Sequence, residues 1–240
     1  DQAKNWQEFK EACSYSNIPG ENMIWADVDG DIGWQAVGIA PIRKNFSGLV
    51  PVLGNGKYEW NGYLPIIEKP NSFNPKKGFI ATANQNLTPS DYKNWDAIGF
   101  TWSDPYRGDR VNEFIGSSDN LTMGDMKTLQ VDVTSLPAKS LVPYLEKVSF
   151  KDFENKQKIK LLDWDFRLTP NSVEAAIYVA WENEIMSQAF DRFVPDKAKL
   201  IFTSLQLKTV IDWIQSPGNM FLNAKQRDLF VKKTFTSAIA

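Results

Sequence analysis

Between Pro41 and Pro75 the chain is punctuated too densely for a long helix or a broad sheet. Pro51, Gly54-Asn55-Gly56, Asn61-Gly62, Pro65, Pro70 and Asn74-Pro75 all fall in this one stretch. Glycine supplies positive φ, proline removes a backbone donor, and asparagine closes turns through its side chain. The stretch therefore predicts an ordered loop layer, neither sheet nor helix. Tyr58, Trp60, Tyr63 and Phe73 are the large side chains around which such a layer would pack.

The flanks read differently. Trp6 to Ala12 (WQEFKEA) has the apolar spacing of a short amphipathic helix. Two apolar runs, Met23–Val28 and Ile32–Val37, flank Asp29-Gly30, the pair that a type I′ hairpin turn prefers. The acidic run Asp27–Asp31 lacks the spacing of a calcium loop, because Ile32 and Gly38 stand where a glycine and a glutamate would be required. Phe79–Asn84 and Ile98–Trp102 are the next strand candidates. After Arg110 the texture turns helical. Thr122 with Asp125 three residues on opens a helix through about Val131. Helical segments follow at Leu141–Leu145 and Phe150–Leu162. Thr169-Pro170-Asn171-Ser172 opens the strongest helix, Val173 to Phe190, and Leu200–Ile214 and the stretch from Asn223 to Ala240 complete the set. The expected division is a hairpin, strand and loop layer over 1–110 and a helical segment over 111–240.

Composition narrows the chemistry. The 240 residues contain no histidine, which excludes a Ser-His-Asp or Cys-His pair and any imidazole zinc ligand. A single cysteine, Cys13, excludes an intrachain disulfide and reads as a small buried residue. A net charge of −2 gives no bulk electrostatic case for nucleic acid or an anionic membrane, which leaves only a local patch, and no apolar run reaches the ~20 residues of a membrane span. The polar start Asp1-Gln2-Ala3-Lys4 carries no signal peptide. The last helix runs to Ala240 without a stop signal, so the chain reads as part of a larger protein.

Segments in register along the chain resemble the penicillin amidase (penicillin acylase) family of N-terminal nucleophile hydrolases. They are Asn22–Trp34 (NMIWADVDGDIGW), Pro51–Pro65 (PVLGNGKYEWNGYLP) running on to Asn74–Asn84 (NPKKGFIATAN), Asp104–Arg110 (DPYRGDR), and Leu162–Asp165 (LDWD). The resemblance covers the whole chain and implies an α+β fold. In it the antiparallel sheet portion of an αββα core, holding the hairpin and the strand ending near Asn84, is followed by a mostly helical insertion.

The resemblance also implies an activity. Family members are precursors that cut themselves, and the new N-terminal serine attacks an acyl amide with its own α-amine as base. An α-amine with an ordinary pKa of roughly 7.7–8.0 can do this without histidine. Residue 1 here is aspartate, and the family's nucleophile segment is absent, so the chain corresponds to an internal part of the larger (β) subunit and is expected to be inactive alone. Internal serines such as Ser14, Ser47 and Ser172 read as caps and turns. The implied partners are the small α chain, the rest of the β chain and a small-molecule acyl amide, with no nucleic acid and no membrane. The implied location is periplasmic or secreted.

Family site residues carry over at four positions. The oxyanion hole uses an asparagine side chain at the end of the strand matching Thr82–Asn86. Asn84 and Asn86 share one parity along a strand, so both are candidates. An ungapped match favours Asn86, and the commoner family pattern Thr-Ala-Asn-Asn favours Asn84. Arg110 matches an arginine near the site with an orienting role, or else pairs on the surface with Asp109 or Glu113. Asp96 matches a calcium ligand of some members. One carboxylate cannot complete six to eight oxygens, so no cofactor is expected of this chain, and calcium is allowed only in the full-length enzyme. The competing reading is a carbohydrate- or ligand-binding module without catalysis, using the aromatic-rich first half as stacking platforms.

Overall fold

Asn5 starts the first element. In the computed structural model, which describes residues 2–218 and 220–240, its Oδ1 accepts a hydrogen bond from the Glu8 N–H at 2.9 Å and opens α1 (Trp6–Cys13). The bond satisfies one of the donors that a helix start leaves over. Trp6 is buried against Gly33, where an added Cβ would lie 2.4 Å from the indole. Only glycine leaves room for that ring. Cys13 packs with Val37 and Ile66, and burial pushes its thiol up, as suits a core residue.

The hairpin forms, with a different turn. β1 (Asn22–Ala26) and β2 (Ile32–Ala36) pair antiparallel, with Ala26 opposite Ile32. The Asp27 N–H donates to the Asp31 carbonyl at 3.1 Å, which leaves a three-residue loop, Val28-Asp29-Gly30. Within it only Gly30 has positive φ, at 91°. A type I′ turn needs positive φ at both central residues, whereas the three-residue loop needs it once. Burial raises the Asp27 carboxyl, but its bonds to the Trp25 indole and to the Asp31, Asp29 and Gly30 N–H groups outweigh that and hold it below the usual range. The acidic run thus serves the turn.

The third strand of this sheet is β5 (Asn71–Phe73), on the far side of β2. A second sheet pairs β3 (Ala40–Arg43) with β4 (Trp60–Leu64). These strands correct the expectation that Pro41–Pro75 is loop throughout. The turn residues are absorbed by irregularity: Pro41 faces Tyr63 and Arg43 faces Trp60, so β4 carries an extra residue, and Gly62 takes φ 78° inside it. A bulge lets a strand keep a glycine that a regular ladder would disfavour.

Two strand expectations fail. Phe79–Asn84 joins no sheet, so the asparagine segment is not a strand of the hairpin's sheet. Gly78 at φ 72° and Asn84 at φ 67° bracket it with left-handed backbone, and the Gln85 side chain binds the Ala83 N–H and the Ala81 carbonyl that a neighbouring strand would otherwise engage. Ile98–Trp102 is likewise unpaired: Ile98 ends the short helix α2 (Trp95–Ile98), and Gly99 follows at φ 85°. The aromatics of the loop region also differ from expectation. Trp60 and Tyr63 are more than half exposed and pack edge to face on each other. Helix α3 (Tyr106–Ile115) straddles the division expected at 110/111, and the chain separates into units Asp1–Asp119 and Asn120–Ala240.

The second unit is helical, as expected: α4 (Met123–Gln130), α5 (Leu136–Leu141), a 3-10 turn Val142–Lys147, α6 (Asp152–Leu162), α7 (Val173–Phe193), α8 (Leu207–Gln215) and α9 (Ala224–Ala238). Thr122 and Asp125 form a reciprocal capping box on α4, Ser172 caps α7 and Asn223 caps α9. Pro143 lacks an N–H, and the expected helix Leu141–Leu145 divides there between α5 and the 3-10 turn. Leu200–Gln206 is not helical, and Leu200, Ile201 and Phe202 are exposed. The core lies on α7 and α9. Trp181 is fully buried, donates its indole N–H to the Thr234 hydroxyl at 3.0 Å and packs edge to face on Phe235. Among the described residues no helix is long and apolar enough to cross a membrane.

Candidate active site

The segment Ala81–Gln85 is irregular backbone held by side chains from two directions. From within, Gln85 accepts from the Ala83 N–H at 2.6 Å and donates to the Ala81 carbonyl at 3.1 Å. From α3, Arg107 Nη2 donates to the Ala83 carbonyl at 3.0 Å and to Asn84 Oδ1 at 2.8 Å. Gly108, next on α3, lets the Gln85 amide lie where any Cβ would be, 2.4 Å from its Cδ. The Ser103 N–H closes on the Asn84 carbonyl at 3.2 Å.

These contacts settle which way the Asn84 amide faces. A guanidinium has only donors, so the amide atom that meets Arg107 must be oxygen. The Nδ2 group is left as the donor end. Asn84 also lines a cleft of about 570 Å³, together with Trp34, Lys69, Leu87, Trp102 and Ser103. Lys69 is the one charged residue in that lining among the described residues. It donates to the Val37 carbonyl at 2.5 Å and to the Gly38 carbonyl at 3.0 Å, and burial pushes its ammonium down. Asn84 therefore contributes a neutral amide to a lining that holds no carboxylate among the described residues. Such an amide can stabilise a developing oxyanion without itself titrating.

The other positions carried over from sequence lie elsewhere. Asn86 is exposed, and its Oδ1 accepts from the Thr88 N–H at 2.9 Å, closing a local turn. The two asparagines are not alternate residues of one strand, so the shared parity that made both candidates does not apply. Arg110, three residues after Arg107 on α3, is paired with Glu113 at 3.0 Å and stacks over Phe114. Asp96 is exposed in the first turn of α2, where Arg43 binds its backbone carbonyl at 3.2 Å. Among the described residues no three acidic or thiol side chains come together to hold a metal.

Ser14 donates to the Glu11 carbonyl, Ser47 accepts from the Leu49 N–H, and Ser172 caps α7. All three do cap or turn work, as read. What the sequence reading missed is Arg107 and Gln85. Arg107 stands three residues before Arg110 on one helix face, a spacing that signals a shared direction. Gln85 leaves no signal in the sequence, because its partner surface is the bare backbone of Gly108.

The family model described as penicillin amidase matches residues 1–240. An acyl-homoserine lactone acylase, QuiP, of Pseudomonas fluorescens is 29% identical over 204 residues, which is 78% of this chain and 24% of that protein. Penicillin G acylase of Escherichia coli is 34% identical over 121 residues, 50% of this chain and 14% of that protein. Among solved structures, thermostable penicillin G acylase from Alcaligenes faecalis superposes with a TM-score of 0.77 at 19% identity, covering 99% of this chain and 49% of that one. The chain thus spans about a quarter or less of the length of these curated relatives.

Proposed function

This chain belongs to the penicillin amidase family, and on that premise we propose that it is part of an acylase whose nucleophile lies outside these residues. The substrate is a small acyl amide of the kinds named in its relatives, a penicillin or an N-acyl homoserine lactone. An N-terminal serine, freed by self-cleavage of the precursor, attacks the amide carbonyl while its α-amine takes the hydroxyl proton. The proton passes to the departing nitrogen, the C–N bond breaks, and water then hydrolyses the serine ester to a carboxylic acid. The enzyme works in the periplasm or outside the cell, assembled with the remaining parts of its precursor, without nucleic acid or membrane contact.

The observation that supports this reading is the oriented Asn84 amide. Its oxygen is held by Arg107, which leaves its nitrogen as the donor end, and the residue lines the cleft. A donor of this kind is worth roughly 2.7–4 kcal/mol to a tetrahedral intermediate. Family membership favours this hydrolase over a ligand-binding module built on the exposed aromatics.

The test uses the full-length protein with benzylpenicillin and an N-acyl homoserine lactone, following release of the carboxylic acid. Asn84→Ala should lower kcat by roughly 10²–10³ with little change in KM, because the bond strengthens in the transition state. Asn86→Ala should keep kcat within a few fold. Turnover of neither substrate by the unaltered protein would exclude these substrates, and equal losses in the two variants would remove Asn84 from the role.

A further inference from the structure

We propose that Arg107 is a positioning residue for this reaction, holding the Asn84 amide in one orientation and polarising it. The inference rests on the assignment of Asn84 as oxyanion donor. Asn84 sits at φ 67°, in the left-handed region, on a segment that belongs to no strand. No ladder fixes its direction. An exposed asparagine on such backbone can rotate about its side-chain torsions and can present either end of its amide. Arg107 removes both freedoms. One nitrogen, Nη2, bonds the Ala83 carbonyl and Asn84 Oδ1 together, tying the side chain to the backbone beside it.

The bond has an electronic consequence as well. A guanidinium, with its full positive charge, bonded to the amide oxygen draws density from the amide nitrogen, so its N–H groups become better donors to a developing oxyanion. The charge itself stays on the far side of the amide, where it does not add a titrating group to the site. Helix α3 fixes the arginine's origin, and the fit of Gln85 over Gly108 keeps the loop at the right height above it.

A double-mutant cycle in the full-length enzyme separates this role from a general structural one. Arg107→Met should lower kcat about 10-fold to 100-fold with KM within about twofold. In the Asn84→Ala background the same change should cost no more than about twofold, because the group through which Arg107 acts has gone. Arg107→Lys keeps the charge and a donor and should recover part of kcat. Melting temperatures for all variants show whether a loss is one of folding. Additive losses in the cycle, or an Arg107→Met enzyme with unaltered kcat, would overturn the inference while leaving Asn84 in place. An Asn84→Ala enzyme with full kcat would instead overturn the oxyanion assignment and this inference with it.

Discussion

The two units of this chain are held by different physics. In Asn120–Ala240 large apolar side chains are sealed between helices: Trp181, Ile185, Ala189 and Phe235 are all fully buried on α7 and α9. In Asp1–Asp119 two of the apolar clusters hold only three buried residues each, Cys13, Val37 and Ile66 in one and Ala40, Leu64 and Ala97 in the other. Position there is set by polar staples: Asp27 in the hairpin loop, Asn74 bridging Asp31 and Ile32, Gln85 and Arg107 around Asn84. A hydrophobic core tolerates modest repacking, whereas a staple has one geometry. A group that must point at a reacting atom is served by the second kind of support, and the candidate site lies in that unit.

The contrast can be broken most sharply in the helical unit. Trp181→Ala removes a fully buried ring and leaves the Thr234 hydroxyl without its indole partner. The expected loss is about 3–5 kcal/mol, measured by denaturant unfolding. A loss near 1 kcal/mol would mean that the buried ring contributes little to this core. In the loop unit, Gly108→Ala drives a methyl to 2.4 Å from Gln85 Cδ, whose amide cannot retreat without releasing Ala83 or Ala81. This should cost about 1–3 kcal/mol. It should also lower acylase turnover in the full-length protein, since the Asn84 loop moves with Gln85.

The same substitution in the other unit should have the opposite sign. Gly124 lies in the first turn of α4, its φ is not positive, and an added Cβ meets nothing closer than the Thr122 hydroxyl at 3.4 Å. Gly124→Ala should therefore stabilise by about 0.4–1 kcal/mol, by restricting the unfolded chain. Matching signs for Gly108 and Gly124 would erase the distinction between the units. The smallest effect is electrostatic. The bond from the Thr122 hydroxyl, then the Thr122 N–H, holds the Asp125 carboxyl below its ordinary 3.8 despite some opposing desolvation. A depressed carboxylate contributes stability that is present above its unfolded value and lost as pH falls through the folded one. The α4 amides should exchange faster as pH drops below about 4 once intrinsic rates are corrected. Asp125→Asn should abolish that pH step.

The caps and the helical half were legible from sequence because their signals are local. A Ser, Thr or Asn followed by helical spacing answers to the unpaired N–H groups of the turn it begins, and that need does not depend on the rest of the fold. Thr122 caps the helix that its spacing announces, and Ser172, at the end of the Thr169–Ser172 group, caps α7. The hairpin was readable for the same reason, the burial of Cys13 followed from its residue type, and the family segments carried the α+β class. Tertiary structure decided the rest. Whether Phe79–Asn84 became a strand depended on a partner edge, and β5 took the place beside β2 while a glutamine side chain took up the loose backbone groups. Asn61-Gly62 could sit inside β4 because a bulge opposite Pro41–Arg43 absorbed it. The hold on the Asn84 amide comes from an arginine on α3, 23 residues along the chain. Sequence spacing reports what neighbours along the chain require of one another, but the direction of one amide is set by whichever donor the folded chain brings to it.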